Sequence, residues 1–154
     1  MLTQTSLTIQ HHVLKVETTG CLDFLDCTDE IQFLLDRAGI RSGMINIQSK
    51  HTTAAILINE NEPLLLNDMK RMLERLAPQQ DCYQHNDFTI RTVNMQDEED
   101  QNGHSHCKAL FLPTSQMVNI VDGRMDLGRW QRLFLLELDQ AKKRNISVII
   151  LGSL

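Results

Sequence analysis

Two histidines spaced two positions apart are the most direct hint of chemistry in this chain. His104 and His106 lie in the stretch NGHSHCKALF, between an acidic run and an apolar run. In an extended chain, residues i and i+2 point to the same face, so a strand that begins here would direct both imidazoles into one site. The pair could be a metal clamp, a catalytic pair or two surface histidines, and the spacing alone leaves all three open.

Two more histidines lie where predicted segments begin or end. His51 heads the apolar run of KHTTAAILINENE, and His85 stands in the polar segment YQHND. Imidazoles at such junctions could converge on zinc, because catalytic zinc commonly takes three protein ligands and keeps a fourth position open. His11 and His12 are adjacent in a predicted strand and face opposite sides, so they cannot easily share a metal.

Other polar and aromatic residues extend the candidate site. Glu60 could be the general base beside a metal-bound water. It could equally be an acid that favours the start of the following helix. Asn59 either walls the site or belongs to a turn, and Trp130 either lines a pocket or packs in the core, the commoner place for a single tryptophan. The absence of GxSxG, GxGxxG and GxxxxGK[ST] motifs leaves serine-nucleophile and phosphate-loop chemistry unsupported.

Two helices are predicted among the elements that must position these residues. Apolar residues at helical spacing predict one helix in TDEIQFLLDRAGI, with Thr28 as N-cap and Gly39 at its end. A second helix is predicted in EPLLLNDMKRMLERLAP, from Pro63 to just before Pro78. Its apolar stripe, with methionines as core filler, is Leu65, Met69, Met72, Leu73 and Leu76.

Short β-rich runs predict the strands. These runs are SLTIQHHVLKVET, GMINIQSK, AAILIN, KALFL, MVNIV and ISVIIL. Asp122-Gly123 predicts a hairpin turn after MVNIV. The segment GRWQRLFLLELDQAKKR fits either a strand or a helix, and its pattern does not decide between them.

Composition predicts one globular domain over residues 1–154. Apolar residues make up 42% of the chain and charged residues 23%, which is ordinary for globular proteins. A net charge of −5 argues against nonspecific nucleic-acid binding. No signal peptide and no apolar run of about 18 residues is visible, so no membrane partner is predicted. Four cysteines without CxxC spacing predict a reduced, cytoplasmic protein.

Four stretches together resemble the YjbQ family, also described as secondary thiamine-phosphate synthase enzymes. They are HTTAAILINENE, YQH, NGHSHCKAL and SQMVNIVDGRMDLGRWQ, in the family's order and across nearly the whole chain. Arg129 stands where the family has threonine, and the family's Glu-x-Asp-Gly-Pro-Arg stretch is kept only as Glu137 and Asp139 followed by QAKKR. In the last and most specific stretch, the family positions are filled by Ser115, Val118, Ile120, Gly123, Gly128, Trp130 and Gln131.

The resemblance implies an α+β fold of mostly antiparallel β-sheets with two main α-helices packed on them, assembled as a homotrimer. It also makes WQRLFLLEL a strand. It implies a divalent metal, expected to be zinc, held by His51, His85 and His106. Glu60 and His104 are the expected catalytic residues. The expected substrate-binding residues are Lys50, Asn59, Asn102, Arg129, Trp130 and Gln131.

Three functions from different classes remain open. The first is slow thiamine-phosphate synthesis, in which a thiazole nitrogen attacks the methylene of a pyrimidine diphosphate and expels pyrophosphate. Mg²⁺, or cations such as Lys50, Arg91 or Arg129, would stabilise the leaving group. The second is a zinc-dependent hydrolase of a small phosphorylated metabolite, and the third is a trimeric module that binds a small anionic metabolite without turnover.

Overall fold

The structure, a computed structural model, describes residues 6–154 and consists of eight strands and three α-helices. The strands are β1 Thr8–Glu17, β2 Phe24–Asp26, β3 Ser42–Ser49, β4 Ala54–Glu60, β5 Ser115–Val121, β6 Arg124–Met125, β7 Gln131–Glu137 and β8 Lys143–Ser153. The helices are α1 Thr28–Ala38, α2 Pro63–Leu76 and α3 Gly103–Ala109, with a 3₁₀ turn at Gln84–Asn86.

Two sheets form the framework, and every strand pair in them is antiparallel. The larger has the order β1-β8-β3-β5-β6 and the smaller the order β2-β7-β4. The main core lies between them, where Ile45 and Val148 of the larger sheet meet Ile56 and Leu135 of the smaller one. Helix α1 adds Ile31 to the same core. The predicted α+β fold of mostly antiparallel sheets is therefore confirmed.

Strand β7 has both faces buried, which explains its ambiguous sequence pattern. Leu133 and Leu135 point into the main core, whereas Leu136 packs with Leu73 of α2 in a second apolar cluster. A strand covered on both faces needs no polar alternation and reads like a buried helix. The strand that the family resemblance implies for WQRLFLLEL is confirmed.

The two main helices lie where they are predicted, with two corrections. Helix α1 begins at Thr28 and its N-cap is Cys27, not Thr28. Asp26 supplies the capping oxygen, because its carboxylate accepts from the Thr28 amide at 3.0 Å. In α2, Leu73 is the buried residue, whereas Met72 is 56% exposed, so the prediction of Met72 as core filler is wrong. Leu73 packs with Ala55 and Leu136 of the smaller sheet.

The strand predicted at KALFL is wrong, because residues 103–109 form α3. Burial recurs at Ser105 and Lys108, a helical spacing, and the Lys108 ammonium pairs with the Glu74 carboxylate at 3.0 Å. Gly103 permits close approach, since a Cβ there would lie 2.5 Å from the Tyr83 Cβ. This tertiary packing outweighs the β-propensity of the apolar run.

The Asp122-Gly123 turn and the two adjacent histidines of β1 agree with the predictions. Asp122 and Gly123 join β5 to β6 with φ angles of 51° and 80°, so the predicted hairpin turn is confirmed. His11 is exposed and His12 half-buried on alternate faces of β1. Within residues 6–154, no helix is long and apolar enough to cross a membrane.

Candidate functional site

The predicted site residues separate to opposite ends of the smaller sheet. Strands β4 and β7 pair so that Ala54 lies beside Glu137 and Glu60 beside Gln131. Seven residues of strand span roughly 20 Å. We call the end near Glu137 the histidine end; it holds Lys50, His51, His85, Asn102, His104 and His106. The opposite, tryptophan end holds Asn59, Glu60, Arg129, Trp130 and Gln131.

Trp130 is an exposed residue at the tryptophan end. It is 61% exposed, and the Arg129 guanidinium lies 4.6 Å from its ring centre. The interpretation of Trp130 as a core residue is therefore wrong. Gln131 follows it and accepts a hydrogen bond from the Gly128 amide at 2.7 Å. The arrangement is an exposed cation–π stack on a hydrogen-bonded turn.

Glu60 ends β4 and does not begin α2. Glu62 caps that helix instead, with its carboxylate accepting from the amides of Leu64 and Leu65, so the helix-start interpretation of Glu60 is wrong. The Glu60 amide itself donates to the Asn59 side chain at 2.8 Å. Within one chain, Glu60 lies a full strand length from the histidines and cannot act as their general base.

The Asp26 carboxylate is the centre of a hydrogen-bonded network at the tryptophan end. Its carboxylate accepts from the Thr28 amide and hydroxyl, from the Asn61 amide group and from the Arg132 guanidinium at 2.7 Å. Burial alone would raise the pKa of Asp26, but these hydrogen bonds outweigh it and lower the pKa below its usual value. The network ties β2, α1 and β7 together.

At the histidine end, His85 and His106 form a close pair. Their ring centres are 4.6 Å apart and their planes are inclined by 65°. Burial and the neighbouring His85 lower the pKa of His106. The Nε2 atom of His85 is buried and has no hydrogen-bond partner in the part of the chain that the structure describes. Two imidazoles on one zinc ion place their ring centres roughly 5 Å apart, given Zn–N bonds of about 2 Å. The pair is therefore close enough to share a metal ion.

His51, the third predicted zinc ligand, is hydrogen-bonded to the backbone of β8. Its Nε2 atom accepts from the Asn145 backbone amide at 2.9 Å, and burial together with Arg144 lowers its pKa. In the part of the chain that the structure describes, no three His, Cys, Asp or Glu side chains converge as a metal group. One chain thus brings together two of the three predicted ligands and does not complete the zinc site.

His104 and Asn102 are buried at the start of α3, and each has one side-chain atom without a hydrogen-bond partner among residues 6–154. His104 is 1% exposed, and its Nε2 lies 3.1 Å from the Ser105 hydroxyl, whereas its Nδ1 has no partner. Burial is the main cause that lowers the pKa of His104, and the charge of the nearby Lys108 lowers it further. Asn102 donates to the Asp139 carboxylate at 3.0 Å, and its Oδ1 has no partner. Because the segment is helical, His104 and His106 point in different directions, about 200° apart.

Beneath these residues lies a buried ion pair that the sequence interpretation missed. The Arg144 guanidinium donates to the Glu137 carboxylate at 2.6 Å and to the Thr53 hydroxyl at 2.9 Å. The same carboxylate accepts from Thr18 and from the Asp139 amide. The partly kept Glu-x-Asp motif is the signal that could have identified Glu137 and Asp139 as site residues.

Two clefts open at the histidine end. One, of about 420 Å³, is lined by residues that include His104, Asn86, Asp100 and Asp139. The other, of about 440 Å³, contains His85 and Arg91. Lys142 pairs with Asp100 at 2.6 Å and with Asp139 at 2.9 Å. One cleft is therefore rich in hydrogen-bond acceptors, and the other carries a cation.

Comparison with known proteins gives a consistent result. The sequence profile described as "UPF0047 protein YjbQ-like" matches residues 12–153. A UPF0047 protein from Methanothermobacter thermautotrophicus is 39% identical over 90% of each chain. YugU from Bacillus subtilis is 31% identical over 90% of this chain and 97% of its own. The crystal structure of a YbjQ-like protein of unknown function from Sulfolobus solfataricus superposes with a TM-score of 0.85, at 30% identity over 96% of this chain and all of that one.

Proposed function

The chain belongs to the YjbQ family, and from this premise we propose that it is an enzyme acting on a small polar metabolite at the histidine end. Slow formation of thiamine phosphate is the activity proposed. One observation carries the site assignment: of the four buried side-chain N and O atoms without a partner in residues 6–154, three belong to His85, Asn102 and His104. Native proteins bond nearly all such atoms, so these three favour a bound ligand.

The histidine pair would hold a divalent ion beside the leaving group, and the neighbouring cations would stabilise the charge of that group. A ring with a lowered pKa, such as that of His106, is neutral near pH 7, which is the form in which imidazole binds a metal ion. The Arg91 guanidinium donates to the His85 carbonyl at 3.4 Å, which places a cation beside the pair. In the proposed reaction, the carbon–nitrogen bond forms as the carbon–oxygen bond breaks, and the electron pair leaves on pyrophosphate. Arg91 and Lys50 would stabilise that charge.

We also propose a divalent ion at His85 and His106. Zinc favours imidazole ligands, and Mg²⁺ would serve the pyrophosphate group. Because the pair supplies two ligands, the remaining ligands would come from the substrate, from solvent or from a neighbouring subunit. The centroid spacing of 4.6 Å supports this proposal.

Assembly as a homotrimer would explain why the site residues lie at two ends. Trp130 is exposed with Arg129 stacked on it, and such aromatic–arginine groups are common anchors of protein interfaces. Exposed apolar side chains also occupy one face of the larger sheet; they include Ile9, Val13, Met117 and Ile149. We propose that the tryptophan end of one subunit approaches the histidine end of the next. The zinc-hydrolase alternative needs the same contact, because only a neighbour's Glu60 could reach the histidines.

The activity is tested by incubating the protein with both phosphorylated precursors and Mg²⁺. We expect slow thiamine-phosphate formation, and a loss of about 100-fold or more in His106→Ala, as expected when one group that stabilises the charge of the leaving group is removed. Arg37→Ala, at an exposed position of α1, is the control and should keep full activity. Complete inactivity of the wild-type protein would contradict the thiamine-phosphate proposal.

The assembly is tested by light scattering and by mixing variants. A mass of three chains at micromolar concentration is expected, and a mass of one chain would rule out the trimer. His51→Ala and Trp130→Ala proteins, each impaired alone, should recover part of the activity when they are folded together. Recovery requires that the two residues serve one site from different chains, so its absence would argue against the shared site.

A further inference from the structure

The residues that line the cleft beside His104 favour a ligand that carries hydrogen-bond donors. Its nine lining residues include three aspartates, five Asn or Gln side chains and His104, and none of the nine is lysine or arginine. Lys142 offsets part of the negative charge by pairing with Asp100 and Asp139. Even so, a phosphate placed here would meet carboxylates. The polarity of this cleft differs from that of the cleft around Arg91.

The hydrogen bonds of Ser105 fix the tautomer of His104. The Ser105 hydroxyl donates its one proton to the Leu138 carbonyl at 2.5 Å. It can therefore only accept from His104, whose Nε2 lies 3.1 Å away and must carry the ring proton. In the neutral ring, Nδ1 is then an acceptor. This atom is buried and has no partner in residues 6–154, and His104 is one of the residues that line the cleft.

Asn102 contributes a second acceptor of the same kind. Its amide nitrogen donates to the Asp139 carboxylate at 3.0 Å, and the flipped orientation would set two oxygens against each other. The free atom is therefore Oδ1, which is buried and unpartnered. Asn102 contacts the cleft through Asp139, one of its lining residues. Asn102 and His104, two residues apart at the start of α3, thus each carry an unsatisfied acceptor, and both Asp139 and His104 line the cleft.

We propose that this cleft binds the amino group of a small neutral nitrogen heterocycle, and that it does not bind phosphate. A buried acceptor without a donor destabilises the free protein, so a ligand that brings two N–H groups would satisfy both acceptors on binding. A metal ion is a weaker match, because no three His, Cys, Asp or Glu side chains converge in residues 6–154. The inference rests on the proposed function for the location of the site, and it specifies which half of a substrate enters this cleft.

The test compares two probes of equal shape on the full-length protein by calorimetry. An aminopyrimidine and the matching methylpyrimidine differ only in replacing N–H donors by a methyl group. We expect the amino compound to bind at least tenfold more tightly. The preference should disappear in His104→Leu and persist in His104→Asn, whose side-chain oxygen can stand near the position of Nδ1. His12→Leu is the matched control, since His12 also has a buried unpartnered Nε2 but lies on β1, outside this cleft.

Several outcomes would overturn the inference. These are equal affinity for the two probes, no binding of the amino compound, a preference that survives in His104→Leu, and displacement of the amino compound by pyrophosphate or zinc chloride. The proposed activity can fail separately. If the amino preference depends on His104 but no thiamine phosphate forms, the binding inference stands and the reaction is wrong. If thiamine phosphate forms but the protein does not prefer the amino compound, the proposed reaction stands and the binding inference is wrong.

Discussion

The two ends of the smaller sheet differ in how well their polar groups are satisfied. At the tryptophan end, the Asp26 carboxylate accepts four hydrogen bonds from Thr28, Asn61 and Arg132. At the histidine end, buried atoms of His85 and His104 have no partner among residues 6–154. Satisfied polar groups stabilise a fold, whereas unsatisfied buried ones are tolerated where something else is to be bound. The difference separates a structural network from a candidate binding site.

The largest expected effect concerns the framework under the histidine end. Arg144→Met leaves the Glu137 carboxylate buried without its cation, and such a loss costs about 3–5 kcal/mol in unfolding free energy. Urea denaturation measures it. Lys143→Met is the matched control, because Lys143 is 88% exposed, and its cost should stay within about 0.5 kcal/mol. Equal effects of the two substitutions would show that the ion pair is not part of the framework.

A smaller loss is expected at the tryptophan end. Asp26→Asn removes the charge that bonds Arg132 and Thr28, and should cost about 1–3 kcal/mol without changing probe binding at the histidine end. Asp29→Asn is the control, because Asp29 also bonds Arg132 but is largely exposed. If Asp26→Asn weakened binding of the aminopyrimidine as strongly as it weakened the fold, the two ends would not be separable.

The Asp26 contribution should also depend on pH. Its folded-state pKa is lowered, because hydrogen bonds from Arg132 and Thr28 outweigh the effect of burial. Its stabilisation is therefore fully present above the unfolded pKa of about 3.9 and is lost as pH falls through the folded value. The stability gap between wild type and Asp26→Asn should be constant from pH 7 to pH 5 and shrink below about pH 4. A gap that grows on acidification would contradict the network.

The smallest effect on stability is expected at His104. His104→Leu replaces a buried ring with an unsatisfied nitrogen by an apolar side chain, so the loss of packing and the removal of the unpaired acceptor offset each other. We expect an unfolding free energy within about 1 kcal/mol of wild type in urea, together with loss of the amino preference. A large destabilisation would mark His104 as a structural residue.

The sequence predicts most of the framework and less of the site. Helical spacing and the flanking Pro63 and Gly39 are local signals, and they place α1 and α2 correctly. Helix α3 escapes prediction because its cause is tertiary: Lys108 is buried against Glu74, a pairing across 34 residues that no local pattern reveals. The separation of Glu60 from the histidines likewise follows from strand register. The unpartnered atoms depend on hydrogen bonds between distant segments, such as that of Asn102 with Asp139.

The protonation of His104 is the most direct test of the account. Nitrogen-15 NMR of the histidine side chains distinguishes a protonated ring nitrogen from a bare one. We expect His104 in the free protein to carry its proton on Nε2, and the signal of its bare Nδ1 to shift when the aminopyrimidine donates a hydrogen bond to it. A proton on Nδ1 in the free protein would contradict the account, because the unpartnered atom would then be a donor.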